Sequence, residues 1–274
     1  LLTGVEVFFI MIQKNINSLS IWFFENLLKY REICHFISTR NKNNGFSPSP
    51  YDSLNLSFHV GDEPENVLKN RKLLASALGF SVNDFLVSKQ VHGGNVKVIT
   101  EKKYNLCATD AMVTDIPGIC LMVLVADCVP ILFYDPKQKV IGAAHSGWAG
   151  TISKIARNTI DTMIKKYSSK PEDIIVSIGP AIGPCCYEVK LDVVEKVQTN
   201  LNKDKEKIII TRNNKYYFDL CKANKLQLLS SGIPEENIEI AGVCTKCNNH
   251  LFFSARKAKK TGRFGAGIML RKQR

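Results

Sequence analysis

Three residues in this sequence have the types and settings of metal ligands. His92 lies in QVHGG, Cys128 in LVADCVPILFYDP, and His145 in AAHSGWAG. Each His lies beside glycines, which let a backbone or ligand approach closely. Two imidazoles and one thiolate, with a fourth position open, form a catalytic-zinc donor set that is related to the Cys₂His set of alcohol dehydrogenases. The same three residues also allow a reading without metal, in which Cys128 is a nucleophile and His145 its base. Asp127, beside Cys128, interrupts an otherwise apolar run, and burying its carboxylate is costly unless it is paired. It reads as a partner of a ligating His, as a catalytic acid, or as a structural turn cap; Asp110 in ATDA is a weaker candidate of the same kind.

A second cysteine group, CTKCNNH (244–250) with GPCC (183–186), resembles two halves of a zinc site. Adjacent cysteines rarely chelate one ion well, so buried thiols are the expectation there. Other signatures are missing: the sequence has no P-loop, no GxGxxG before a helix, no HxE with PCxxC and no GxSxG.

The elements that must position these residues are mixed. The run ICLMVLVADCVPILFYDP (119–136) reads as one buried strand, because aliphatic residues follow one another with no polar face. FLVSKQVHGGNVKVIT (85–100) reads as strand, Gly-Gly turn, strand. KVIGAAHSGWAGT (139–151) reads as a strand entering a Gly-rich turn, and 151–168 as the strongest helix. A helix over 65–80 turns Leu68, Leu73, Leu74, Ala77 and Leu78 to one side, and residues 21–31 form a short amphipathic element. HFISTR opens with a strand and leads into a long Asn/Gly/Ser/Pro loop. Strands and helices do not alternate strictly, so mixed or antiparallel sheets in a single domain are expected.

Composition sets the outer bounds. The 274 residues are 45% hydrophobic and 23% charged, which is ordinary for a globular protein with a sizeable core. The net charge of +12 favours anionic partners such as phosphates and nucleotides. No basic stripe interleaved with aromatics follows, so nucleic acid is not expected as a partner. Nine unevenly spaced cysteines argue for a reducing compartment, and the cytoplasm is the expected location. No apolar run is long enough for a membrane span. The N-terminal apolar patch is a poor signal peptide, and Met11 offers an internal start.

Taken in order, QVHG, TDAMVT, ADCVPILFYD, HSGWAGT, SIGPAIGPCCYEV and CT…FFSARK…TGR resemble the YfiH/YlmD laccase-domain family, formerly described as multicopper polyphenol oxidases. STRNKNNGFSPSPYDSLNLSFHVGD resembles that family's TR-x-GG-x-S…LNL…VGD opening, so the likeness runs from about residue 36 to 270. The resemblance implies an α+β fold, a layered α/β/β/α sandwich with mixed sheets. Residues 1–34 are then an N-terminal extension and first element, and 35–274 the catalytic domain. It implies zinc on His92, Cys128 and His145. Cys128, His145 and Asp127 are then the candidate catalytic residues, and Arg40 and Arg256, which lie in the family motifs, are candidates for phosphate or ribose contacts. The resemblance implies phosphorolysis of adenosine, inosine, guanosine and methylthioadenosine, and deamination of adenosine, by a monomer or homodimer. Two alternatives stand beside it: a Cys128–His145 hydrolase or amidase, including editing of peptidoglycan precursors, and a copper polyphenol oxidase. Five histidines and no HxH pair cannot build a multicopper cluster, so copper ranks below zinc. Three places depart from the family pattern: Ala149 where a basic residue is usual after HxGW, SARK with Ala255 in place of SYRR, and a loosened TRNKNNG turn.

Overall fold

The computed structural model describes residues 11–102, 106–201 and 205–272; the apolar patch over residues 1–10 lies outside them. The chain begins with strands β1 (Ile12–Ile16) and β2 (Leu19–Phe23), the single-turn helix α1 (Glu25–Leu28) and β3 (Ile33–Ser38). The stretch expected as one amphipathic element at 21–31 is thus the end of a strand and a short helix. A long loop leads to α2 (Pro64–Leu78), followed by β4 (Phe85–Val87), β5 (Val96–Val98) and β6 (Ala111–Thr114). Next come β7 (Cys120–Val125), β8 (Val129–Asp135), β9 (Val140–Ser146), α3 (Trp148–Ile152) and α4 (Ile155–Tyr167). After β10 (Ile175–Ile178) and β11 (Glu188–Val189) come α5 (Leu191–Asn200), α6 (Lys205–Ile208), β12 (Ile209–Arg212) and β13 (Lys215–Phe218). The chain closes with α7 (Leu220–Ser230), β14 (Ile238–Ile240) and β15 (Phe264–Leu270).

Two six-stranded sheets carry the architecture. One has the order β1-β2-β3-β15-β7-β4, the other β14-β10-β8-β9-β6-β5, and a small β11-β13-β12 sheet stands apart. Both large sheets are mixed: β4 runs parallel to β7, β5 to β6 and β14 to β10, while the remaining pairs are antiparallel. The period-2 alternation of strands explains the layering. Leu121, Val123 and Val125 of β7 meet Leu132 and Tyr134 of β8 and Ile141 and Ala143 of β9 in a core between the sheets. The other face of β7 (Cys120, Met122, Leu124) packs on Leu74 and Ala77 of α2. The other face of β8 (Val129, Ile131, Phe133) packs on Ile155, Ile160 and Met163 of α4 and on Leu228 of α7. The result is the expected α/β/β/α sandwich.

Four local readings change. The run from Ile119 to Pro136 is not one strand: β7 and β8 belong to different sheets, and residues 126–128 carry the chain across the central core. Both strands are buried on both faces, so hydropathy shows no seam between them. The 85–100 stretch behaves the same way, since β4 and β5 also lie in different sheets and residues 88–95 form the crossing. The helix expected over 151–168 is broken at Ser153–Lys154, where Lys154 takes a φ of 59° between α3 and α4. On α2, Leu68 is 40% exposed and Asn70 is fully buried in its stead. Asn70 Oδ1 accepts the Phe46 N–H at 2.8 Å, and its Nδ2 donates to Ser47 Oγ, Ser53 O and Asn55 O at 2.8–3.1 Å, which pins the long loop to the helix.

Candidate metal and nucleoside site

The two crossings between sheets and the end of β9 meet at one point. His92 lies on the first crossing and Cys128 on the second; His145 lies in β9, in register with Pro130. One nitrogen from each His and the Cys128 sulfur all lie within 4.8 Å of one another. The two imidazole rings stand 4.7 Å apart, edge to face. Gly147 makes this approach feasible: a Cβ there would fall 3.0 Å from both Cys128 Sγ and His92 Cδ2.

Asp110, fully buried at the start of β6, organises the site. Its Oδ1 lies 2.9 Å from His145 Nδ1 and accepts the His92 N–H at 2.9 Å, while its Oδ2 accepts the Gly93 N–H at 2.8 Å. The carboxylate therefore fixes the His145 ring and holds the turn carrying His92, whose φ is 62°. Burial works against its charge, but these donors hold its pKa below the ordinary value. With Nδ1 occupied, His145 presents Nε2 to the cluster, as the carboxylate partners of metal-binding histidines arrange. Gln90 ties the same crossing to β7: its Nε2 donates to Leu124 O and its Oε1 accepts Leu124 N–H, both at 2.9 Å. The same end of β9 is anchored by a buried network in which Ser146 Oγ, next to His145, meets Thr151 Oγ1 and Asn224 Oδ1 at 2.9 Å.

Asp127 has other partners. Its Oδ1 accepts the Thr245 hydroxyl at 2.7 Å and its Oδ2 the Arg256 N–H at 2.7 Å, and its carbonyl accepts the Ile182 N–H at 2.9 Å. It takes a φ of 90°, a left-handed value that these three bonds hold in place. Of the roles weighed from the sequence, these bonds match the structural one, and the His-orienting position belongs to Asp110. Arg40 is not among the residues lining the cavity described below. Its guanidinium donates to Asp52 Oδ1 at 2.9 Å, Asp52 O at 2.6 Å and Asn249 O at 3.1 Å, and it lies over the Phe253 ring. Arg256 does line the cavity; it donates to Glu188 O at 2.7 Å and lies 4.7 Å from the Tyr187 ring centre.

The cluster opens into a cavity of about 800 Å³, the size of a small-molecule site. Sequence reasoning missed three of its cations, Arg71, Lys89 and Arg263. Arg71, on α2, donates Nε–H to Leu56 O at 2.9 Å, and burial lowers it to about 10, so it stays charged at neutral pH. Burial also lowers Arg263, which donates to Thr261 O and Gly262 O at 3.0 Å. Aromatic surface comes from Phe58, Trp148 and Tyr187, and Ala255 of SARK also lies on the wall.

The electrostatics of the cluster are coupled. Burial pushes the Cys128 thiol up, but the His145 and His92 imidazoles more than reverse this and bring it down to about 6. Burial likewise pushes His145 down, and the Cys128 sulfur and the Asp110 carboxylate raise it to about 9. Each partner thus favours the charged form of the other, and a cation bound between them would take the place of the shared proton. The donor set therefore fits a divalent ion of zinc type: one polarised thiolate, two imidazoles, and an oriented ring.

The family model described as "Multi-copper polyphenol oxidoreductase laccase" matches residues 34–271. The chain belongs to this family. A member from Bacteroides thetaiotaomicron named purine nucleoside phosphorylase is 36% identical over 261 residues, which cover 91% of this chain and 96% of its own length. A relative from an unknown prokaryotic organism, named an adenosine deaminase, is 34% identical over 249 residues, 85% of this chain and 92% of its own. The crystal structure of the YfiH protein from Bacillus licheniformis superposes with a TM-score of 0.86 at 35% identity, covering 92% of this chain and 96% of that one. Among the described residues, no helix is long and apolar enough to cross a membrane.

Proposed function

We propose that the chain is a zinc-dependent purine nucleoside phosphorylase, acting on adenosine, inosine, guanosine and methylthioadenosine, with adenosine deaminase activity. The observation that carries this reading is the convergence of His92, Cys128 and His145 in a cavity that also presents Arg71, Arg256 and Arg263. The relatives' names supply the substrate class, and the superposed structure supports a shared fold.

His92, Cys128 and His145 would hold the zinc, which supplies Lewis-acid activation at its open position. The rest of the work falls to the chain. Asp110 keeps a proton on His145 Nδ1 and so fixes which nitrogen faces the centre. Arg71 and Arg263, held by carbonyl oxygens in a partly dry wall, provide fixed positive charge for the phosphate and for the negative charge that develops on the purine as it leaves C1′. Tyr187, packed against Arg256 and Phe218, and the more exposed Trp148 give the wall aromatic surface beside the base. Asp127 holds Arg256 N–H and Thr245, and thereby the wall that carries Ala255.

Cys128→Ala is expected to lose one bound zinc and phosphate-dependent base release together. A purified variant that keeps both overturns the assignment. A specific observation favours a second reading. The depressed Cys128 thiol beside a raised His145 is the state of an activated nucleophile, as a metal-independent cysteine hydrolase requires. Chelation separates the two: the hydrolase keeps its activity when the metal is stripped and loses it on stoichiometric alkylation.

A further inference from the structure

Four cysteines that take no part in this chemistry come together beside the same cavity. Cys185 and Cys186 lie in the loop after β10, and Cys244 and Cys247 in the loop after β14. Parallel strands β10 and β14 bring these loops side by side. The pairing extends past the strands: Ala181 N–H donates to Val243 O at 3.2 Å and Thr245 N–H to Ala181 O at 3.0 Å. The four sulfurs all lie within 4.8 Å of one another. Cys247 Sγ is 3.6 Å from Cys185 Sγ and 3.4 Å from Cys186 Sγ.

The objection to adjacent cysteines as ligands of one ion assumes that they point apart, as in a strand. Here they do not lie in a strand. The Cys186 and Tyr187 N–H groups both donate to Gly183 O at 3.0 Å, which makes residues 183–187 a single helical turn. Successive side chains on such a turn are about 100° apart rather than opposed, so both thiols can face the same point. Gly183 keeps the point open, because a Cβ there would lie 3.3 Å from Cys185 Sγ and from Cys244 Cβ. Its N–H donates to Cys244 Sγ at 3.3 Å, a bond of the kind that stabilises a metal-bound thiolate. Zn–S bonds of about 2.3 Å in a tetrahedron place sulfurs about 3.8 Å apart. The observed separations approach that spacing. Positive charge stands close by: Arg212 donates to Pro184 O at 2.5 Å, and Lys246 lies between the two loop-244 ligands.

We propose that Cys185, Cys186, Cys244 and Cys247 form a four-thiolate zinc site that clamps the loop after β10 to the loop after β14. Each loop serves the cavity. Tyr187, directly after Cys186, lines it, and Thr245, between Cys244 and Cys247, donates to Asp127 on the crossing that carries Cys128. The clamp is a structural site, closed by four protein ligands, and distinct from the open His92–Cys128–His145 cluster.

The test is metal stoichiometry of the full chain, purified with reductant and without chelator. The expected result is two zinc ions per chain in the wild type and one in each of Cys247→Ser and Cys128→Ala. If only the four-cysteine site is real, the wild type holds one zinc, Cys247→Ser none and Cys128→Ala one, so failure here is separable from failure of the catalytic reading. If Cys247→Ser does not fold, cobalt loading of Cys128→Ala settles the matter. That variant lacks the thiolate of the other cluster, so strong thiolate-to-cobalt charge-transfer absorption must come from the four cysteines. A Cys247→Ser protein with wild-type zinc content overturns the proposal. So does a non-reduced wild type whose mass shows a disulfide among these four residues, or a cobalt-loaded Cys128→Ala without charge-transfer absorption.

Discussion

Asp110→Asn probes the organisation of the candidate site most finely. The substitution keeps size and shape but turns one accepting oxygen into an NH₂ group. If that group takes the place of Oδ2, it faces the Gly93 N–H now bonded at 2.8 Å; if it takes the place of Oδ1, it faces His145 Nδ1 and the His92 N–H, both at 2.9 Å. Either way a buried donor meets a donor, which costs about 1–3 kcal/mol of stability. The His145 ring also loses the charge that fixes its tautomer, and such partners are worth about 10–100-fold in metal affinity, or about 1.4–2.7 kcal/mol. The assay is zinc competition against a chromophoric chelator, run in a Cys247→Ser background so that only this cluster reports. Asp127→Asn is the control. It disturbs the bonds to Thr245 and Arg256 and lowers stability by a similar amount, but it keeps zinc affinity within about threefold. If Asp110→Asn binds zinc like the wild type, or if Asp127→Asn is the weaker binder of the two, the assignment of the orienting carboxylate is wrong.

Other consequences are equally concrete. Gly147→Ala places a Cβ 3.0 Å from Cys128 Sγ and His92 Cδ2, so turnover is expected to fall roughly tenfold with little change in melting temperature; wild-type turnover would show that the cluster need not be this tight. Asn70→Ala takes the acceptor from the Phe46 N–H and the side-chain donor from Asn55 O, while Ser53 O keeps the Ser47 N–H; the expected loss is about 2–4 kcal/mol in denaturant titrations, and a loss below about 1 kcal/mol contradicts the pinning role. His35 is 2% exposed with Nε2 accepting the Phe24 N–H, and burial lowers its pKa from 6.5 to about 3. Its neutral form therefore contributes stability that is full above the unfolded-state value and is lost as pH falls from there toward about 3, at about 1.4 kcal/mol per pH unit. Between about pH 6.5 and 4.5 the wild type should lose stability faster than His35→Gln, and parallel profiles would refute this.

The three cluster residues were legible as candidates in the sequence, because two histidines beside glycines and a cysteine in a buried apolar run are local signals, whereas the layered fold followed from the resemblance of the ordered motifs to a known family. The spatial arrangement of the three was not legible. Hydropathy joined β7 and β8 into one strand, since a crossing of only three residues between two fully buried strands leaves no polar gap. The same blindness made the His92 crossing look like a hairpin turn. Asp110 ranked below Asp127 because adjacency to Cys128 is visible in the chain, whereas a carboxylate that reaches a His 35 residues away is visible only once β6 and β9 pair. Arg71 sits in a helix without a chemical signature, and Arg263 closes the TGR motif, where its order in the chain gave no role; only packing turns both to the cavity. Cys185 and Cys186 looked incompatible with one ion until the loop proved to be a helical turn.

The central claim is metal-dependent phosphorolysis at the His92–Cys128–His145 cluster. The most direct measurement follows inosine consumption by the zinc-loaded protein with and without phosphate, before and after chelation at this cluster. The account predicts hypoxanthine and ribose 1-phosphate in equal amounts, only with phosphate present, abolished by metal removal and restored by zinc. Activity that survives in the metal-free protein and vanishes on stoichiometric alkylation of Cys128 would contradict it.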